Sequence, residues 1–200
     1  PKKYDVPWKV LENQGWIARA FCNEIRIPFS QEERFRYMGA GDREKFRIAS
    51  CNPRKNDVVR EILDKHPDDH VLIIGQYIQQ LQGLADELQY PFISGSTPHS
   101  KRDELYTQFR KGIVKRLIVS KVANFSIDLP DANVAVQISG TFGSRQEEAQ
   151  RLGRIMRPKK KGEPAHFYSI ITRDSVEQTF SMKRQLFLTE QGYRYSIINY

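Results

Sequence analysis

Long apolar runs are missing from this sequence. The longest continuous strings, such as Val71-Leu72-Ile73-Ile74, fall far short of the roughly 20 residues that a membrane-crossing helix needs. No signal or transit segment is visible either. Cysteine is nearly absent: Cys22 and Cys51 are the only two. They lie too far apart for a disulfide framework or a zinc site, and read as buried thiols in a reducing compartment. No low-complexity tract or internal repeat occurs, which argues against disorder and against a solenoid. The chain also contains no Gly-x-x-x-x-Gly-Lys-Ser/Thr loop, so it lacks a phosphate cradle of its own with a metal-binding hydroxyl. Asp68 and Asp69 precede a strand beside Pro67 and read as a turn, not as an acidic pair for magnesium. The first residue is Pro1, not Met, which suggests a piece of a longer polypeptide.

What is present suits one ordinary domain with a real core: 200 residues, of which 39% are hydrophobic. Lys and Arg number 32 against 24 Asp and Glu, a net charge of +8. Such a surplus attracts polyanions, nucleic acid foremost.

The pattern along the chain separates three stretches. Residues 1–21 show little periodicity and read as a connector arriving from something upstream, with Trp8 and Trp16 laid against a surface. Residues 22–55 hold a strand and a small helical element. In the strand, Ile25 and Ile27 alternate with Glu24 and Arg26. Ser30 and Glu33 form a capping box that opens a first helix, and a basic helix near Asp42–Ala49 follows after Gly39 and Gly41. Residues 56–200 then alternate helix and strand. Val58, Val59, Ile62 and Leu63 form a helical stripe. Val71–Ile74, Pro91–Ile93, Leu117–Val119, Val134–Ile138 and Ala165–Ile171 read as strands, with a final short one near Tyr193–Ile198. Helices are expected at Ile78–Leu88, from Ser100 as cap to Gly112, at Ser144–Met156, and from a second capping box, Ser175 with Gln178, to Leu188. Apolar strands alternating with helices define an α/β fold: three layers, a mostly parallel sheet with helices on both faces. In such sheets ligands bind at the carboxyl ends of the strands, here the loops after Ile74, Ile93, Val119 and Ile138.

One string carries chemistry: Gln150-x-x-Gly153-Arg154-x-x-Arg157. Ser144 and Glu147 cap the helix on which it lies. At about 100° per residue, Gln150, Arg154 and Arg157 fall within about 60° of one another. Leu152, Ile155 and Met156 fall opposite, free to pack on the sheet. Gly153 allows close approach. Two guanidinium forks on one polar face suit phosphoryl oxygens, and a cation brought to a nucleotide from outside its cradle neutralises transition-state charge.

That string resembles motif VI of superfamily 2 helicases, and Gly143-Ser144-Arg145 through Arg154 is similar to the XPB branch in particular. The resemblance covers about residues 20–200 with the motifs in family order. It implies a RecA-like helicase C-terminal domain in which Arg154 and Arg157 act as arginine fingers, with Gln150, Gly153 and Asp128 in nucleotide binding or coupling. Residues Ser120 to Pro130 resemble motif V, which implies that Ser120 and the adjoining Lys121 meet the DNA backbone. Phe125-Ser126 stands where many members have Arg-Gly, a departure the XPB branch shares. Val71 to Tyr77 resembles motif IV. Ile93 to Thr97 with Lys101 and Arg102 resembles motif IVa, implying phosphate contacts from Gly95, Ser96 and Arg102.

The implied activity is that of an ATP-dependent DNA helicase or translocase in nucleotide excision repair, inactive as an ATPase in this chain alone. ATP and Mg²⁺ would be held mainly by an N-terminal RecA-like domain of the same polypeptide; this chain supplies no metal ligand. The expected partners are DNA, that upstream domain, and a repair nuclease or transcription/repair complex, with no membrane. The expected location is the cytoplasm of a bacterium or archaeon, or the nucleus in a eukaryote. A thumb-like role for residues 30–49, and a DNA contact from Lys159 to Lys161, are further expectations. Two other readings stay open: a non-enzymatic nucleic-acid- or protein-binding module on the same scaffold, and a motor of the chromatin-remodeller or restriction-enzyme kind.

Overall fold

The computed structural model of the chain describes residues 8–15, 19–120, 132–140, 164–190 and 195–200. The elements run α1 (Trp8–Asn13), β1 (Ala20–Ile27), α2 (Gln31–Gly39), α3 (Asp42–Ser50), α4 (Arg54–Lys65), β2 (Val71–Gly75), α5 (Ile78–Leu88), β3 (Phe92–Ile93), α6 (His99–Arg110), β4 (Arg116–Ser120), β5 (Val134–Gln137), β6 (Ala165–Thr172), α7 (Val176–Glu190) and β7 (Tyr195–Asn199). The expected helix Ser144–Met156 and the expected loop 121–131 lie outside the described residues, as does Trp16.

Seven strands form one sheet in the order β3-β4-β2-β5-β6-β1-β7. Every pairing is parallel, so the expectation of a mostly parallel sheet is met without an antiparallel edge. The central strand β2 explains its unbroken apolar run, because helices cover both of its faces. Ile73 faces a cluster with Val58, Ile62, Leu81 and Leu84 from α4 and α5. Leu72 and Ile74 face Leu105, Tyr106 and Phe109 of α6. On that second face, beside β6, Leu188 of α7 packs with Ala135 and Phe167. Each such side chain contributes roughly 1.5–3 kcal/mol by leaving water, which outweighs the poor helix propensity of the β-branched residues in α4.

β1 lies inside the sheet, between β6 and β7, so residues 22–55 and 56–200 share one core. Ile25 and Ile27 face one side as the alternation requires. Glu24 on the other side is also fully buried; its carboxylate accepts from Arg26 Nε at 2.6 Å and from Tyr195 OH at 2.6 Å. A pattern that marks half-exposed strands elsewhere here marks a covered one with a satisfied internal charge.

Local expectations meet the structure unevenly. The Ser30 box forms as read: Ser30 Oγ accepts from Glu33 N at 3.2 Å and Glu33 Oε2 from Ser30 N at 2.9 Å. The connector is not featureless, since α1 occupies part of it. The cap of α6 is Pro98, not Ser100, which lies inside the first turn; the proline ring presets φ for a helix start. At α7 the two bonds of the second box are displaced. Ser175 Oγ accepts from Glu177 N at 3.2 Å, and Gln178 Oε1 accepts from Asp174 N at 2.9 Å, with Asp174 at φ 55. Cys22 is buried, but Cys51 is only half-buried.

Candidate functional site

The exits of β2, β3, β4 and β5 all open at the carboxyl edge. Gly75 ends β2 in a tight place: a Cβ there would meet Leu81 Cδ2 at 2.8 Å and Ser139 Oγ at 2.9 Å. The missing side chain lets Ser139 Oγ come in and accept from Gln76 N at 2.7 Å. That bond ties the exit of β2 to the exit of β5.

After β3 the chain turns through Ser94–Pro98. Ser94 N donates to Thr97 Oγ1 at 2.9 Å, and the Ser94 and Ser96 hydroxyls lie 2.8 Å apart. Arg102, only 6% exposed, donates through Nη2 to Ser94 O at 3.3 Å and Thr97 O at 3.1 Å. Its guanidinium is therefore turned inward and braces the turn from behind. Gly95 and Ser96 are exposed, as are His99, Ser100 and Lys101 at the start of α6. That helix start carries no side-chain cap, so its first-turn N–H groups have no side-chain acceptor, close in sequence to exposed Gly95 and Ser96. Uncapped amides at a helix start suit an anionic oxygen. Lys101 pairs with Glu104 at 3.0 Å, an exposed contact that yields easily to a phosphate.

Among the described residues several buried polar atoms lack a hydrogen-bond partner: Ser120 Oγ, both amide atoms of Gln137, Gln76 Oε1, Gln80 Oε1 and Arg102 Nε. Ser120 and Gln137 are each 1% exposed. Such orphans cost roughly 1–3 kcal/mol apiece. All six sit at the carboxyl ends of β2, β4 and β5 or in the first turns of α5 and α6. Ser120 is thus enclosed; it is not displayed at the surface as a ready phosphate contact.

A groove of about 650 Å³ adjoins this edge, between the end of α3 and the starts of α4 and α5, with Arg47, Cys51, Asn56, Tyr77 and Gln80 among its walls. Burial, and then the proximity of Cys51 and Glu177, push the Tyr77 phenol up to about 12. Burial likewise raises the Cys51 thiol, against the pull of Lys55 and Arg47.

Beneath the groove lies a feature that no sequence pattern signals. Lys55 is fully buried, and its Nζ donates to Glu177 Oε1 at 3.0 Å, to Oε2 at 2.9 Å and to Ile138 O at 2.8 Å. The partners are 122 residues apart, and Lys55 falls in the polar first turn of its helix, where a solvated cation is the default.

Of the residues singled out from sequence, Gly95, Ser96, Arg102 and Ser120 lie together on this edge. Lys121, Asp128, Gln150, Gly153, Arg154 and Arg157 lie outside the described residues, as do Lys159 to Lys161. Among the described residues no three His, Cys, Asp or Glu side chains converge as metal ligands, and no helix is long and apolar enough to cross a membrane.

This sheet order and this edge define the class. The fold is that of the RecA-like domains of helicases. It is similar to the crystal structure of T4 UvsW, with a TM-score of 0.72 at 11% identity over 92% of this chain and 42% of that one. It is also similar to the C-terminal domain of the DEAD-box protein Dbp5, with a TM-score of 0.66 at 16% identity over 94% and 92%. Within the class the assignment is narrower: the ERCC3/RAD25/XPB C-terminal helicase model matches residues 11–200, and the chain belongs to that family. The "DNA 3'-5' helicase XPB" of Mycobacterium tuberculosis is 56% identical over 98% of this chain, and that of Kineococcus radiotolerans is 50% identical over 100%. The TFIIH helicase/translocase subunit XPB of Drosophila melanogaster is 37% identical over 100%. The chain spans 36% of the length of the two bacterial relatives and 26% of the fly protein.

Proposed function

We propose that this chain is the second motor domain of an ATP-dependent DNA helicase or translocase of the XPB type, working in DNA repair. It closes on a nucleotide held by an upstream RecA-like domain of the same polypeptide. The observation that carries the reading is the gathering of unpartnered polar groups at one edge of the sheet, at the strand ends from which residues 121–131 and 141–163 depart. The resemblance of residues 143–157 to motif VI and of residues 120–130 to motif V supports the following roles. Arg154 and Arg157 reach the β- and γ-phosphates across the cleft, Gln150 and Gly153 frame that approach, and Asp128 couples it to the DNA track. Mg²⁺, held by the upstream domain, would neutralise phosphate charge.

On the DNA side, Gly95, Ser96 and the open start of α6 take backbone phosphate, and Arg102 keeps that turn in shape without touching DNA itself. Ser120 and Lys121 pass a change at the nucleotide to the track; the Ser120 hydroxyl gains a partner only when the edge rearranges. Contacts to phosphate carry no base information, so binding is sequence-independent and weakens steeply with salt.

The deciding experiment measures ATP turnover of the longer protein with DNA present. Arg154→Ala lowers kcat by about 10³-fold or more and leaves the unfolding temperature unchanged. The chain of residues 1–200 alone has no turnover. Parent-like kcat in Arg154→Ala ends the proposal.

A further inference from the structure

The segment that bears Arg154 and Arg157 leaves the sheet from β5, so whatever holds the exit of β5 sets where that segment begins. Ile138 is held by both of its backbone groups. Its N–H donates to Ile74 O at 2.9 Å, and its C=O accepts from Lys55 Nζ at 2.8 Å. The next residue, Ser139, is tied to Gln76 N. Behind Lys55 stands Glu177, the paired carboxylate, with side-chain exposures of 0% and 4%. Glu177 also accepts from Thr172 N at 2.9 Å and from Ser50 Oγ at 3.0 Å. One carboxylate thus joins the end of α3, the start of α4, the end of β6 and the start of α7.

Burying two charges costs several kcal/mol per ion, and apolar residues of similar volume are often as stable or more so. Packing alone therefore does not explain the pair. An apolar pair cannot direct a cationic donor at the carbonyl of a strand exit.

We infer that Lys55 and Glu177 are positioning residues for ATP turnover: the pair clamps the exit of β5, and through Ser50 it ties that exit to the α2–α3 element. This rests on the function proposed above.

The test uses the longer protein. Lys55→Met with Glu177→Gln removes both charges, keeps the volume and deletes the donor to Ile138. The expected outcome is unfolding within a few degrees of the parent, unchanged KM for ATP and kcat lower by about tenfold to hundredfold, the scale of a small misplacement of reacting groups. Combined with Arg154→Ala, the pair costs nothing further. Parent-like kcat, or an equal added loss on the Arg154→Ala background, overturns the inference. Should the double variant fail to fold, Ser50→Ala, which deletes one donor to Glu177, lowers kcat about fivefold at unchanged KM, one hydrogen bond's net worth; parent-like kcat there overturns it. An active Arg154→Ala control instead defeats the function reading itself.

Discussion

At the amino ends of the strands, polar groups find one another. Asp69 accepts from Asn133 Nδ2 at 2.9 Å and faces His66 Nδ1 at 2.7 Å, while His66 Nε2 lies 2.9 Å from Tyr168 OH. Arg116 Nη2 closes the corner on the carbonyls of His66 and Pro67 at 2.9 and 2.7 Å. At the carboxyl ends the Lys55–Glu177 network is paired, but beside it Ser120, Gln137, Gln76 and Gln80 keep buried polar atoms unpaired, and α5 and α6 start without side-chain caps. One end is finished and the other is left open in part. A satisfied network rigidifies the fold, whereas unsatisfied groups are the expected cost of a surface that must meet a ligand or rearrange.

The comparison can be broken in graded ways. The largest effect falls on neither end but on the core they share. Phe109→Ala, at 0% exposure, costs about 3–5 kcal/mol, read from denaturant unfolding of the chain. Next comes the finished end. Asp69→Ala strips two partners and costs about 1–3 kcal/mol, yet DNA-stimulated ATP turnover of the longer protein stays at the parent level; a large loss of turnover would place function at the wrong edge. At the open end, Ser120→Ala deletes a hydroxyl that bonds to nothing in the fold. Stability then holds or rises, by up to about 1–3 kcal/mol as the unpaired group is removed, while DNA-stimulated turnover falls. A destabilisation as large as that of Asp69→Ala would erase the contrast.

The smallest effect is the alkaline limb of stability. Tyr77 stays protonated in the fold up to about 12, and so does Tyr200, whose phenol bonds to Glu61. In the unfolded chain these phenols ionise near pH ~10. The fold therefore binds more protons between about pH 10 and pH 12, so this contribution is complete below about pH 10 and declines above it. Tyr77→Phe flattens that decline, and denaturation midpoints at about pH 9 and about pH 11 measure it. An equal slope in parent and variant would show that Tyr77 is not held in this way.

Much of the open end was legible beforehand. The apolar run of β2 implied a covered parallel strand, and that implied chemistry at its carboxyl end. The loop after Ile93 followed from the alternation of strand and helix, and the Ser30 box from two residues three apart. What misled was equally local. Arg102 looks like a surface phosphate ligand because arginines usually are, yet it folds under its own turn. Ser100 looks like a cap, but Pro98 holds that position and the helix starts at His99. Glu24 looks like the wet side of a strand, but it is fully buried and takes a hydrogen bond from Tyr195 of β7.

Sequence by itself determined the class of fold, the family and the spacing of Gln150, Arg154 and Arg157, because hydrophobic periodicity and motif spacing are short-range properties of the chain. Only the tertiary structure decided which polar groups are satisfied. The Lys55–Glu177 pair depends on partners brought together from residues 122 apart, and the orphaned Ser120 and Gln137 on none being brought to them. Whether a buried charge or amide is paired depends on three-dimensional proximity, which no local pattern encodes.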